Sequence, residues 1–140
     1  MTLINHTAET LTILAGLADH GDLDLAIVFG SFARGLANKY SDLDIAVFPR
    51  QPLDAAALQD ISDNLAIASG RPIDIVDLTT TNGTLLRQIL RHGKVIFAKR
   101  PDILGILNER LLDWQADFEP AQQAILTAQR NRFLSRAGIN

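Results

Sequence analysis

No cysteine occurs among the 140 residues. Disulfides, thiolate metal sites and a cysteine nucleophile are therefore excluded. The absence fits a cytoplasmic address, which is the expectation, though it does not demand one. Histidine is scarce as well. His6, His20 and His92 are scattered along the chain, so a histidine-based zinc cluster is not expected. Long apolar runs are missing: residues 10–18 and 25–33 reach about half of the ~18 residues needed for a membrane span. The first lysine or arginine is Arg34, so the basic start of a secretory leader is not expected either. No internal repeat and no low-complexity tract is present.

What is present suits one domain with one core. Apolar residues make up 47% and charged residues 21%, an ordinary globular balance. The charge sums to -3, but unevenly. Residues 1–70 hold 9 acids and 3 bases, whereas residues 71–140 hold 7 acids and 10 bases. An acidic first half argues against nonspecific binding of long nucleic acid, because phosphate neutralisation needs a basic surface. Its carboxylates need another purpose.

Periodicity orders the chain. Residues 7–17 carry a helical rhythm, broken by Gly21. The apolar run 23–29 reads as a buried strand. A short helix over 31–36 follows directly after Gly30. Residues 42–48 form a second strand, stopped by Pro49 and Pro52. The spacing predicts helices at 53–69 and 84–92, closed by Gly70 and Gly93, and strands at 72–78 and 95–98. An apolar stripe from Ile103 through Leu107, Leu111, Trp114 and Phe118 predicts a helix that Pro120 ends, with another running to about Arg136. The fold class is α/β (α+β), a small mixed β-sheet of about four strands flanked by helices, with C-terminal helices. The expected domain is the whole of 1–140, with a core of about 5–100 and helices at about 101–137.

The chemistry concentrates in Gly30-Ser31-Phe32-Ala33-Arg34-Gly35, followed by Ser41-Asp42-Leu43-Asp44. Side chains alternate along a strand, so Asp42 and Asp44 share a face, about 7 Å apart along it. Leu43, Ile45 and Val47 face the core. Two carboxylates on one face repel unless solvated or bound to cations, and such hard oxygen ligands suit Mg²⁺ or Mn²⁺. The plain alternative is a turn at Ser41 and Asp42 with Asp44 in solvent. Gly30 and Ser31 stand where a strand becomes a helix, and the free N–H groups there bind phosphate oxygens. Their plain alternative is a turn glycine and an N-cap. A third acid is expected on a neighbouring strand. In Pro72-Ile73-Asp74-Ile75-Val76-Asp77, Asp74 sits mid-strand, where a carboxylate is costly unless paired or metal-bound. Asp74 is the choice, with Asp77 the fallback.

Gly30-Ser31, ten further residues, then Asp42-Leu43-Asp44, with Asp74 following, resembles the nucleotidyltransferase superfamily that includes DNA polymerase beta. The small size is similar to the minimal nucleotidyltransferases, the MntA-type antitoxins that pair with HEPN-domain toxins. The motif covers roughly residues 24–78. The resemblance implies that Asp42, Asp44 and Asp74 hold two Mg²⁺ ions (Mn²⁺ as substitute) and carry catalysis. It implies that Gly30 and Ser31 hold phosphates of ATP, with Arg34 offsetting their charge. The implied reaction is AMP transfer from ATP to a hydroxyl, a tyrosine, of a cognate HEPN toxin, which neutralises that toxin. A second domain to hold a large substrate is not expected. The competing functions are a nucleotidyltransferase acting on a small molecule of the aminoglycoside kind and a non-catalytic antitoxin acting by occlusion.

The remaining candidates have plainer readings. Lys39 and Tyr40 precede the acidic strand as loop residues that could touch nucleotide. His92 suits a helix C-terminus, where it complements the dipole. Trp114 fits core or interface. Arg130, Arg132 and Arg136 read as a solvated helix face or a docking surface for an acidic partner.

Overall fold

In the computed structural model, which describes residues 3–36 and 41–138, Leu23–Phe29 forms strand β1 and is buried at every position. An unbroken apolar strand needs cover on both faces, and the surrounding elements supply it. Helix α1 (Leu3–Ala15) and a short 3₁₀ turn precede β1. Helix α2 (Gly30–Ala33), strand β2 (Leu43–Pro49), helix α3 (Ala55–Ser69), strand β3 (Ile73–Asp77), helix α4 (Gly83–His92), strand β4 (Lys94–Ala98) and helix α5 (Asp102–Arg136) follow. The sheet runs in the order β3-β2-β1-β4. β1 is antiparallel to β2 and β4, whereas β2 and β3 are parallel. The expected mixed sheet of four strands is therefore present.

Two apolar layers flank the sheet. On one face Ala26, Val28, Leu43, Ile45 and Val47 pack with Leu14, Phe32, Ile61 and Leu65. On the other, Leu25, Ile27, Phe29 and Ala46 meet Leu86 and Ile89 of α4 and Ile103, Leu107 and Leu111 of α5. Local signals set the helix ends. Asp54 caps α3 by accepting from the Ala57 N–H at 2.8 Å, so the helix starts two residues after its expected first residue. Gly70 closes α3 in the left-handed region at φ 68°. Gly93 has a packing reason: a Cβ there would collide with the Ile89 carbonyl and the Ile27 side chain. Its bareness lets the end of α4 lie tight against β1.

Two expectations are corrected. The helix after Gly30 is one turn that ends at Ala33 rather than at residue 36. At the other end, α5 is a single helix of 35 residues with Pro120 inside it. Proline removes one N–H and crowds the preceding turn, which breaks a helix most readily where packing leaves no room. Pro120 and Ala116 are both exposed, so the freed carbonyl remains in reach of water and the helix continues. Beyond Trp114 the helix leaves the body, and Ile125, Leu126 and Phe133 are exposed. No helix among the described residues is long and apolar enough to cross a membrane.

Candidate active site

The site forms where β1 turns into α2. Gly30 has φ 69°, a conformation costly for side-chain-bearing residues, and a Cβ on it would overlap the Asp44 carboxylate. Glycine here both makes the turn and admits Asp44. Strand register does the rest. Asp44 lies opposite Phe29 of β1 on one side and opposite Asp74 of β3 on the other. Asp74 has the same parity as Val76, which packs into the layer beneath α4 and α5, the layer that Ala46 also enters. Gly30, Asp44 and Asp74 thus meet on one face at one end of the sheet. Asp42 sits just before β2 and is exposed. Asp77 has the parity of Ile73 and Ile75, which pack into the opposite layer. Its carboxylate accepts the Thr79 N–H at 2.9 Å and the Thr79 hydroxyl at 2.6 Å, which commits it to the turn after β3.

The electrostatics separate Asp44 from an ordinary surface acid. Burial, then the Asp74 charge, then the Asp42 charge all push its pKa above the usual carboxylate value. Among the described residues none of the three carboxylates makes an ion pair. No three acidic or histidine side chains among those residues already converge into a metal cage. Even so, the donor set is the right kind. Asp44 is half-buried and Asp42 and Asp74 are exposed, and such carboxylate oxygens, repelling one another without a cation, suit a hard divalent ion such as Mg²⁺ or Mn²⁺.

A cavity of about 270 Å³ opens beside Asp44, lined by Phe29, Gly30, Arg34, Asp44, Gln88 and His92. Three of these are sequence-predicted site residues. Ser31, Asp42 and Asp74 do not line it, though Ser31 and Phe32 continue the turn from Gly30. Because α2 is a single turn, any anion would be held by a few backbone N–H groups and Arg34 rather than by a long helix dipole. Gln88 is the addition that sequence reasoning missed, and His92, read from the sequence as a helix C-terminal residue, lines the cavity as well. They are four apart on α4, so they share a helix face, and the tight Gly93 turn brings that face to the end of β1. Their i, i+4 spacing was the available signal. Lys39 and Tyr40 lie outside the described residues. Trp114 is partly buried in the second layer, stacks on Phe118 at 5.7 Å and lies under Arg87.

A glycine turn, a cation and one carboxylate around a cavity, with a second carboxylate on the neighbouring strand, can bind a phosphate–metal complex and support transfer at phosphorus. Comparison with known proteins gives the family. Residues 12–102 match the family described as Polymerase beta, Nucleotidyltransferase. The protein adenylyltransferase MntA of Shewanella oneidensis is 34% identical over 80 residues, 57% of this chain and 58% of that protein. The match thus spans little more than half of that relative's length. Among solved structures, a crystal structure of a toxin–antitoxin with AMP-PNP has a chain that superposes with a TM-score of 0.70 at 26% identity, over 87% of this chain and 98% of its own. A chain of the tri-AMPylated Shewanella oneidensis HEPN toxin in complex with MNT antitoxin gives a TM-score of 0.67 at 25% identity, covering 89% of this chain and 98% of its own. The chain belongs to the polymerase beta nucleotidyltransferase family and resembles its minimal, MntA-type members.

Proposed function

We propose that this chain is an MntA-type antitoxin, a protein adenylyltransferase that moves AMP from ATP onto a hydroxyl of a cognate HEPN toxin and so neutralises it. The acceptor in this reading is a tyrosine. The observation that carries it is Asp44 set between Gly30 and Asp74 at the mouth of a cavity that also holds Arg34. The names of the similar proteins, and the AMP-PNP and HEPN toxin in the similar structures, support the choice of nucleotide and partner.

In this reading Asp42, Asp44 and Asp74 hold two Mg²⁺ ions, with Mn²⁺ as a substitute. When bound, the ions supply Lewis acidity and offset the negative charge of the triphosphate. Gly30 and Ser31 hold the β- and γ-phosphates through backbone N–H groups, and Arg34 neutralises phosphate charge. Asp74, on edge strand β3, takes the acceptor proton as the acceptor oxygen attacks the α-phosphorus. One oxygen–phosphorus bond forms, the bond from the α-phosphorus to the bridging oxygen breaks, and pyrophosphate leaves. Residues 1–140 act as one nucleotidyltransferase domain, with a core of about 5–100 and a helical C-terminal part. The working compartment is the cytoplasm.

The test uses purified protein, Mg²⁺, labelled ATP and the cognate toxin. Label on the toxin is expected, with a loss of at least about 10²-fold in the Asp42→Ala, Asp44→Ala double variant. Equal labelling by that variant would overturn the reading. Pyrophosphate release with a small hydroxyl compound and no labelled protein would favour a small-molecule enzyme instead. Full toxin neutralisation by the double variant would favour occlusion.

A further inference from the structure

Arg71 is only 2% exposed. Arginine is rarely buried this deeply without a specific partner set. Burial pushes its pKa down, yet a guanidinium remains charged at any ordinary pH. It stands directly after the left-handed Gly70, between α3 and β3. Its Nη1 donates to the Ser41 carbonyl at 3.0 Å, 30 residues back in the chain. Its guanidinium carbon lies 5.6 Å from the centroid of the Phe32 ring. Ser41 immediately precedes Asp42, and Phe32 immediately follows Ser31. One buried cation therefore touches both chain segments that build the site, and it does so through a backbone carbonyl and an aromatic face. A rigid planar fork can make both contacts at once, whereas a lysine offers only a point charge on a flexible stem.

We propose that Arg71 is a positioning residue for nucleotidyl transfer, clamping the turn at Ser41 and Asp42 against the turn at Gly30–Ala33 and so setting the Asp42 carboxylate relative to the phosphate-binding backbone. The assignment rests on the function proposed above. Arg71 touches neither substrate nor metal in it; the guanidinium acts through the two turns.

The test compares Arg71→Ala and Arg71→Lys with Leu17→Ala, a core truncation beside the start of β1 at the opposite end of the sheet. In Arg71→Ala, kcat for toxin labelling should fall about 10- to 100-fold per folded molecule while KM for ATP holds. Millimolar guanidinium ion should restore part of that kcat, and Arg71→Lys should stay low. The free protein's affinity for Mn²⁺ should drop by a similar factor. Leu17→Ala should lose thermal stability yet keep its kcat per folded molecule. The assignment fails if Arg71→Ala behaves like Leu17→Ala, without rescue and with unchanged Mn²⁺ affinity. Should Arg71→Ala not fold, full activity and Mn²⁺ affinity in Arg71→Lys would defeat it equally. A wild type that neither labels toxin nor binds AMP-PNP defeats the proposed function instead, and the Mn²⁺ titration then still decides on the clamp.

Discussion

Asp24 and Asp44 lie on paired strands at opposite ends of the sheet, and the protein treats them in opposite ways. The Asp24 side chain is 1% exposed and lies between two cations, although its Oδ2 has no hydrogen-bond partner. Arg50, just after β2, donates to its Oδ1 from Nε at 3.1 Å and brings Nη2 within 3.1 Å of the same oxygen as an ion pair. Arg100, just after β4, adds a longer contact at 3.8 Å. The strands on either side of β1 thus each deliver one cation to it. Asp44 is less buried yet worse served, because its carboxylate neighbours are Asp42 and Asp74 and every resolved influence opposes its charge. A buried charge with its complement at hand is costly to unpair. A set of like charges beside a cavity costs stability and makes sense when a cation is to arrive.

Three experiments sharpen or break that contrast. The largest effect belongs to Gly30→Ala. It adds a Cβ against Asp44 at a positive φ, and should cost about 3 kcal/mol in denaturant unfolding and abolish toxin labelling. Full stability and activity in Gly30→Ala would mean that Asp44 does not need the bare backbone. Next is Arg50→Ala at the other end. It leaves Asp24 with the longer Arg100 contact alone, and should cost about 2 kcal/mol, reduced from the buried-pair range because Arg50 is half-exposed. Labelling per folded molecule should be unchanged; a specific loss of kcat would join the two ends of the sheet functionally.

The smallest effect has the opposite sign. Asp44→Asn should raise the melting temperature in metal-free buffer at neutral pH, by on the order of 2 °C after allowing for solvent screening. The folded pKa of Asp44 lies above its unfolded value near 3.8, so the folded state binds more protons between the two and stability falls as pH rises through that window. The advantage of Asp44→Asn should therefore be full above the folded pKa and vanish below the unfolded one. Added Mg²⁺ should raise the melting temperature of the wild type and leave Asp44→Asn nearly unmoved. A destabilised Asp44→Asn at neutral pH would show that this carboxylate is structural after all.

Much of this was legible in the chain. The order of helices and strands follows from periodicities of two and 3.6 residues, which register within a few neighbours. Gly30, Asp42 and Asp44 were legible too, because a strand-to-helix glycine and an alternating acid pair are local patterns. Pro120 misled because a proline breaks a helix or is merely tolerated according to what surrounds it, and here water does. Gln88 was passed over, and His92 was read only as a helix end, because nothing within α4 says which way its outer face looks; the contact of Gly93 with Ile27 decides that.

The amino-acid sequence by itself therefore determined most of the elements, the glycine turn and the presence of acids close in the chain. The tertiary structure alone decided which acids meet and what holds them there. The parallel register of β2 with β3 sets Asp74 beside Asp44, and Asp77 on the far face, across 30 residues of chain. The guanidinium of Arg71 ties Ser41 to Phe32 in the same way. Both are pairings between segments whose own local preferences are already satisfied, so only the closure of the sheet and its two apolar layers selects them.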